Sequence, residues 1–390
     1  MEYSFDHPID RRGTDCVKYD GAVRRGKSAD ILPLWVADMD FPAPPAVLEA
    51  MSERVRHGIF GYSEPGQDYF DALKTWFTGR FDYRFDPSWV VLTPSVVSAL
   101  CTAIRAYTNP GDAILIQEPV YHPFRESILA NNRRPVVNTL QLTGDSYIID
   151  FSDFERQIAE NQVKLFILCS PHNPVGRVWR GSELRELVCI CMKYDVLIFS
   201  DEIHCDFVFP GHTHHVLPAL TPKAAERIIL STSPSKTFNL AGLHLANTFI
   251  PDRDLRRAFY QELHRSGAPS ASSLGLVACR AAYTNGAAWL DSLLPYLVAN
   301  MAEINGFLKA NLPAVRLIPP EGTYLAWVDC RALGLSADAL DHRLTQEAKI
   351  WLNRGDMFGP TGAGFVRINT ACPKATLETC LTRLANSLDA

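Results

Sequence analysis

Trp89–Gln117 reads WVVLTPSVVSALCTAIRAYTNPGDAILIQ. Trp89–Thr93 is a short apolar run that predicts a strand. From Ser95 to Tyr107, Val97, Leu100, Ile104 and Tyr107 recur on one helical face. Gly111-Asp112 then turns the chain into a second apolar run, Ala113–Gln117. The same alternation continues downstream. Val163–Cys169, Val196–Ser200, Arg227–Ser231 and Leu245–Ile250 read as strands. Ser182–Tyr194 reads as a helix with Leu184, Leu187, Val188 and Cys191 inward. Continuous apolar strands alternating with helices predict an α/β fold, with a mostly parallel sheet covered on both faces. Such sheets bind ligands at the carboxyl ends of their strands.

The last third differs. A long helical stretch follows Trp289, then a strand over Thr323–Asp329, a helix near Ala337–Glu347, a strand over Phe365–Asn369 and a helix over Lys374–Leu388. This predicts a smaller α+β domain, with the boundary near residues 280–295. The expected division is a large domain over 46–285 and a small one made of 1–45 and 286–390.

The chain has 390 residues, with 38 Lys plus Arg against 43 Asp plus Glu, a formal net charge of −5. A nucleic-acid surface shows as a basic excess, so no nucleic-acid partner is expected. No apolar run of about 18 residues occurs, so no membrane span is expected. The polar start MEYSFDHPIDRRGTD lacks the apolar centre of a signal peptide, and the ten cysteines include no CxxC pair. Together these predict a cytoplasmic protein with reduced, mostly buried thiols. Gly21-Ala-Val-Arg-Arg-Gly26-Lys27-Ser28 matches GxxxxGK[ST]. A phosphate loop needs a buried strand before it and a helix after it. Here Arg11–Asp20 is polar and Pro33 blocks a helix, so an exposed basic turn is expected.

The strand ends carry the chemistry. Ser231-Thr-Ser233-Pro-Ser235-Lys236 follows one strand, and a partly desolvated lysine there can attack carbonyls as a free amine. Asp201-Glu202-Ile-His204 follows another, where a buried carboxylate needs a cationic partner. Two prolines and a glycine in Ser170-Pro-His-Asn173-Pro174-Val-Gly176 make a rigid loop that aims Asn173, and Pro119-Val-Tyr121 presents an aromatic ring. Ser95-Val96-Val97 opens a helix whose free N–H groups form an anion site. Together they call for a ligand with a phosphate, an aromatic ring, a ring cation and a carbonyl that captures lysine: pyridoxal 5′-phosphate. His212, His214 and His215 are expected in a solvated loop rather than on a metal.

Ala37-Asp-Met-Asp-Phe-Pro42, Gly58-Ile-Phe-Gly-Tyr62, Ser170–Pro174, Ser200–His204, Ser233–Asn239 and Phe365-Val-Arg367-Ile-Asn369 stand in an order that covers essentially the whole chain. On these motifs the chain resembles the fold-type I pyridoxal-phosphate enzymes of the class I/II aminotransferase superfamily. It is most similar to their MalY/PatB group of cystathionine β-lyases, or C–S lyases. The resemblance implies that Lys236 bonds the cofactor aldehyde and later moves the α-proton. It implies that Asp201 pairs with the ring nitrogen, that Asn173 donates to the phenolic oxygen and that Tyr121 stacks on the ring beside His204. Val96, Val97, Ser233 and Ser235 would hold the phosphate. Tyr62 would reach the phosphate of a neighbouring subunit, which implies a homodimer with shared active sites. Arg367 would hold the substrate carboxylate, with Asn173 and Ala37 also facing the substrate. Three positions depart from related enzymes: His204 where aminotransferases usually carry tyrosine, His244 where an arginine often binds phosphate, and Ser95 where glycine is common.

The implied activity is β-elimination from L-cystathionine or another cysteine S-conjugate, giving a thiol, pyruvate and ammonia. An aminotransferase is the alternative, since both reactions start with the same α-proton removal. A regulatory protein that only keeps the fold is the third, although it would have no need to retain Lys236, Asp201, Asn173 and Arg367.

Overall fold

Side chains alternate across a strand, so a strand apolar at every position must be covered on both faces. Ala113–Glu118 (β2), Leu165–Cys169 (β4), Leu197–Asp201 (β5) and Ile228–Thr232 (β6) are buried throughout. In the computed structural model, which describes residues 3–267 and 271–388, their side chains divide between two cores. Ile114, Ile116, Leu165, Ile167 and Phe199 meet Val96, Leu100 and Ile104 of helix α1 (Val96–Tyr107). Leu115, Phe166, Leu168 and Ile198 meet Leu184, Leu187 and Val188 of helix α2 (Gly181–Lys193) on the other face.

With Val90–Thr93 (β1), Arg134–Thr139 (β3) and Ala246–Phe249 (β7), these strands form a seven-stranded sheet in the order β1-β7-β6-β5-β4-β2-β3. The pairs from β6 through β3 are parallel, and β7 runs antiparallel to both β1 and β6. The carboxyl ends of six strands and the start of β7 therefore share one edge. The expected α/β class and mostly parallel sheet are both present.

The C-terminal part builds a second, antiparallel sheet. Arg316–Leu317 (β8), Leu325–Asp329 (β9), Asn353–Arg354 (β10) and Phe365–Asn369 (β11) pair in the order β8-β9-β11-β10. The N-terminal segment joins this part: Leu32–Pro33 pairs in parallel with Ile350–Trp351, and Asn369 N–H donates to the Leu34 carbonyl at 2.9 Å. Three expected elements differ in detail, the first being the strand expected from Val163, which starts at Leu165. The strand expected from Thr323 starts at Leu325, because Thr323 adopts a positive φ of 66°. The helix expected over Ala337–Glu347 is α-helical only to His342 and continues as a π-turn over Arg343–Glu347.

The GxxxxGKS stretch is no phosphate loop. Turns precede it, Ala22 packs with Ile31 and Trp351, Arg24 and Arg25 are exposed, and the Lys27 amine lies 3.5 Å from Asp341.

Candidate active site

The strand ends enclose a cavity of about 320 Å³ lined by eleven of the twelve residues singled out from the sequence. Tyr62 is the twelfth. It lies outside the cavity, fully exposed, in a loop whose Ile59 and Phe60 are also exposed.

At one end stands the start of α1. The Ser95 hydroxyl accepts the Ser98 N–H at 3.0 Å and caps the helix. The first N–H groups of a helix have no partner within it, so those of Val96 and Val97 remain for an anion. Ser95 has φ −165°, extended backbone that any residue adopts, so this turn does not require glycine. Ser233 begins the short helix α3 (Pro234–Thr237). Its hydroxyl accepts the Ser235 N–H at 3.1 Å and donates to the Leu245 carbonyl at 2.6 Å. Both bonds are internal, so Ser233 must turn its O–H to serve an anion. His244 does not replace the arginine in place: it is exposed, in the left-handed conformation, and outside the cavity.

Asp201 closes β5 at the floor. Its Oδ1 accepts the Ile203 N–H at 3.1 Å, and burial pushes its carboxyl up to about 7 against the opposing effects of that bond and of Lys236. A buried carboxylate so poorly compensated favours a cation brought from outside the chain. His204 is buried, edge-on to Tyr324 at 5.8 Å, and its Nδ1 has no hydrogen-bond partner among the described residues. Burial, reinforced by Lys236 and Arg367, lowers its pKa to about 3 and keeps the ring neutral.

Lys236 sits on α3, and its Nζ donates to the Ala37 carbonyl at 2.7 Å. Burial lowers its pKa to about 8; Asp38 raises it, Arg367 lowers it and Asp201 raises it by smaller amounts. Arg367, central in β11, is buried and donates only to neutral oxygens. Nη1 donates to Asn173 Oδ1 at 2.9 Å, and Nη2 to the Trp35 carbonyl at 2.9 Å and Asn353 Oδ1 at 2.6 Å. Among the described residues its Nε has no partner, and its guanidinium lies 4.8 Å from the centre of the Phe358 ring. This is not a structural ion pair: the positive charge is kept available for an incoming carboxylate. The bond to Arg367 occupies Asn173 Oδ1, which leaves the amide N–H₂ free to donate. The Asn173 carbonyl in turn accepts the Tyr121 N–H at 3.0 Å, which ties the aromatic wall to the asparagine.

Sequence reasoning missed several members of this site. Asn353 reaches Arg367 because β10 pairs with β11 at that register. Tyr324 donates to the same Ala37 carbonyl at 3.0 Å. Trp35, His122 and Met357 complete the wall. The histidine loop also needs correction: His214 is buried, with Nε2 2.8 Å from Glu202 Oε2. Glu202 also accepts from Ser200 Oγ and the Leu217 N–H, so the buried carboxylate after β5 finds its partner within the chain. Among the described residues no group of three or more His, Cys, Asp or Glu could hold a metal ion, and no helix is long and apolar enough to cross a membrane.

The donor set fits pyridoxal 5′-phosphate. Free helix amides suit its phosphate, Asp201 its ring nitrogen, the Asn173 amide its phenolic oxygen and the Lys236 amine its aldehyde. Arg367, with Nε unpartnered, remains for a substrate carboxylate.

Residues 29–384 match the family Aminotransferase class I and II. The chain is 41% identical over 385 residues to cystathionine beta-lyase PatB of Bacillus subtilis (strain 168), a match spanning 99% of this chain and 100% of that one. Cystalysin from Treponema denticola, whose crystal structure contains a pyridoxal 5′-phosphate cofactor, superposes with a TM-score of 0.97 at 34% identity, covering 100% and 99% of the two chains. The PLP-bound C–S lyase from Staphylococcus hominis gives 0.94 at 31% identity, covering 100% and 99%.

Proposed function

The chain belongs to the class I and II aminotransferase family, and from that premise we propose that it is a pyridoxal-phosphate-dependent carbon–sulfur lyase. It splits L-cystathionine or a related cysteine S-conjugate into a thiol, pyruvate and ammonia. One observation carries the reading: a lysine amine lowered to about 8 shares a cavity with an arginine whose hydrogen bonds all go to neutral oxygens. The names of its relatives, a cystathionine beta-lyase and a C–S lyase, favour elimination over amino transfer.

Pyridoxal phosphate, when bound, supplies an electron sink for negative charge developing at the substrate Cα. The protein does the rest. Arg367, its plane fixed by Asn173 and Asn353, binds the α-carboxylate. Lys236 Nζ takes the Cα proton, and an amine with a pKa of about 8 is well matched to that task near neutral pH. Asp201, raised to about 7, holds a proton between its carboxylate and the basic ring nitrogen. Neutral His204 fills its position without adding a third positive charge beside Lys236 and Arg367. Tyr121 covers one ring face, and the amides of Val96 and Val97 receive the phosphate. Trp35, Val36 and Met357 give the cavity an apolar wall that limits water. The thiolate then leaves Cβ and takes up a proton, and one water hydrolyses the remaining three-carbon enamine to pyruvate and ammonia.

The same reading includes a homodimer in which Tyr62 serves the neighbouring site. The exposure of all of Gly58–Tyr62, with Ile59 and Phe60 in the open, supports a covering second copy. It includes a large domain over 46–285 and a small one from 1–45 with 286–390, supported by the pairing of Leu32–Pro33 with Ile350–Trp351. Ten free cysteines suit a reducing, cytoplasmic setting.

The test is to load the purified protein with cofactor, add L-cystathionine or S-alkylcysteines, and measure thiol and pyruvate. Release of both supports the lyase. Amination of an oxo acid with no thiol overturns it in favour of an aminotransferase.

A further inference from the structure

Val36 and Ala37 line the cavity, and the segment Val36–Phe41 that carries them is a strap tied down on both sides. Asn239, three residues beyond Lys236, accepts the Met39 N–H at 3.0 Å and donates to the carbonyls of Met39 and Phe41, each at 2.9 Å. Asn369, two residues beyond Arg367, donates to the carbonyls of Val36 and Asp38, each at 2.5 Å. The strap is thus tied to the lysine segment on one side and to the arginine strand on the other.

Its acidic residues are clamped as well. Arg11 forms a fork on Asp38, with Nη1 to Oδ1 at 3.0 Å and Nη2 to Oδ2 at 2.7 Å, and Nη1 also reaches Asp40 at 2.7 Å. Lys18 is completely buried, with Nζ 2.8 Å from Asp40 and 3.7 Å from Asp38. Asp38 directly follows Ala37 in the chain, and Asp40 lies two residues further on. The Ala37 carbonyl accepts both the Lys236 amine at 2.7 Å and the Tyr324 hydroxyl at 3.0 Å.

We propose that Asp38, gripped by Arg11, is a positioning residue for Lys236: its carboxylate balances the charge on the amine while the strap it anchors keeps the Ala37 carbonyl against that amine. The proposal rests on Lys236 being the reactive amine of the site. The charged and titratable groups around that amine are Asp38 from the strap, Asp201 and His204 after β5, Cys169 at the end of β4, Arg367 on β11, Tyr324 before β9, and Tyr121 and His122 after β2. Among the charges, Asp38 and Asp201 favour the protonated amine and Arg367 opposes it. Arg11 does not line the cavity; it reaches Lys236 through the strap, by its bonds to Asp38, to Asp40 and to the Met39 carbonyl at 3.2 Å.

This arrangement makes a prediction that simple loosening of the strap does not. Asp38→Asn removes a negative charge and keeps the side chain's shape, so the Lys236 nitrogen loses its proton at lower pH. Arg11→Met leaves the Asp38 charge less compensated, so the nitrogen holds its proton to higher pH. The experiment uses the full-length chain. In cofactor-free protein, carbamylation of Lys236 by cyanate is followed by mass spectrometry from pH 6 to 11. In loaded protein, absorbance at about 420 nm is followed over the same range. The expected result is opposite shifts, each about half a pH unit or more, in folded variants. Shifts of the same sign, or none, overturn the proposal. If one variant does not fold, the sign of the other alone decides. Neither readout depends on thiol release, so the positioning role fails or stands separately from the lyase reading.

Discussion

Arg367 and Asn173 meet across two sheets, with Arg367 Nη1 donating to Asn173 Oδ1 at 2.9 Å. The contact joins the loop after β4 to the middle of β11. It also turns the asparagine so that only its N–H₂ faces the rest of the cavity. One bond therefore orients the group expected to read the cofactor's phenolic oxygen and the group expected to read the substrate carboxylate.

Arg367→Lys removes the fork while keeping a positive charge. A point charge replaces bidentate geometry, and the oxygens of Asn173, Asn353 and the Trp35 carbonyl lose a donor. The expected outcome is a fall in kcat/KM of about 100-fold or more, mostly through KM, with the cofactor absorbance retained. Steady-state kinetics on an S-alkylcysteine check it.

Asp201→Asn has opposite effects on stability and on function. The folded Asp201 carboxyl is raised from 3.8 to about 7, so the folded chain binds more protons than the unfolded chain between those values. Stability from this group therefore falls as pH rises from 4 to 7, and its cost is complete above 7. Cofactor-free Asp201→Asn should melt at a higher temperature than the parent at pH 8, with the gap closing towards pH 4. The loaded variant should lose about 100-fold in kcat, because the ring nitrogen loses its carboxylate. Thermal melts across pH and turnover measurements read the two effects separately.

His214→Ala leaves Glu202 buried without its 2.8 Å partner. Removing one partner of a buried hydrogen bond costs about 1–3 kcal/mol. A drop in melting temperature of several degrees is expected, with kcat of the remaining folded enzyme little changed, since His214 does not line the cavity. Calorimetry and kinetics on the same preparation check both halves.

Tyr62→Ala removes a fully exposed ring from a loop that makes no contact with its own cavity. If a second copy brings this residue to the phosphate, cofactor affinity falls about 10-fold while the melting temperature of cofactor-free protein stays the same. Equilibrium dialysis against cofactor measures the first and a thermal melt the second.

Much of the site was legible because it is local. Lys236, Asp201, Asn173 and Tyr121 each follow an apolar strand within a few residues, and parallel strands bring such ends to one edge. The remaining members depend on register and tertiary contact. Asn353 meets Arg367 only because β10 and β11 pair at that position, and no spacing in the sequence encodes that pairing. Tyr324 was visible as part of a strand, but its bond to the Ala37 carbonyl depends on where the strap lies. His214 looked like one of three loop histidines. Its burial follows from Glu202, a carboxylate twelve residues earlier whose need for a partner was legible but whose choice of partner was not.

The cavity's function in this account is elimination rather than amino transfer. The most direct measurement is the ratio of thiol to pyruvate over many turnovers of L-cystathionine, with no oxo acid added. One thiol per pyruvate, sustained without an oxo acid, is the predicted result. A reaction that stops after one equivalent per site, resumes only when an oxo acid is supplied, and releases no thiol would contradict it.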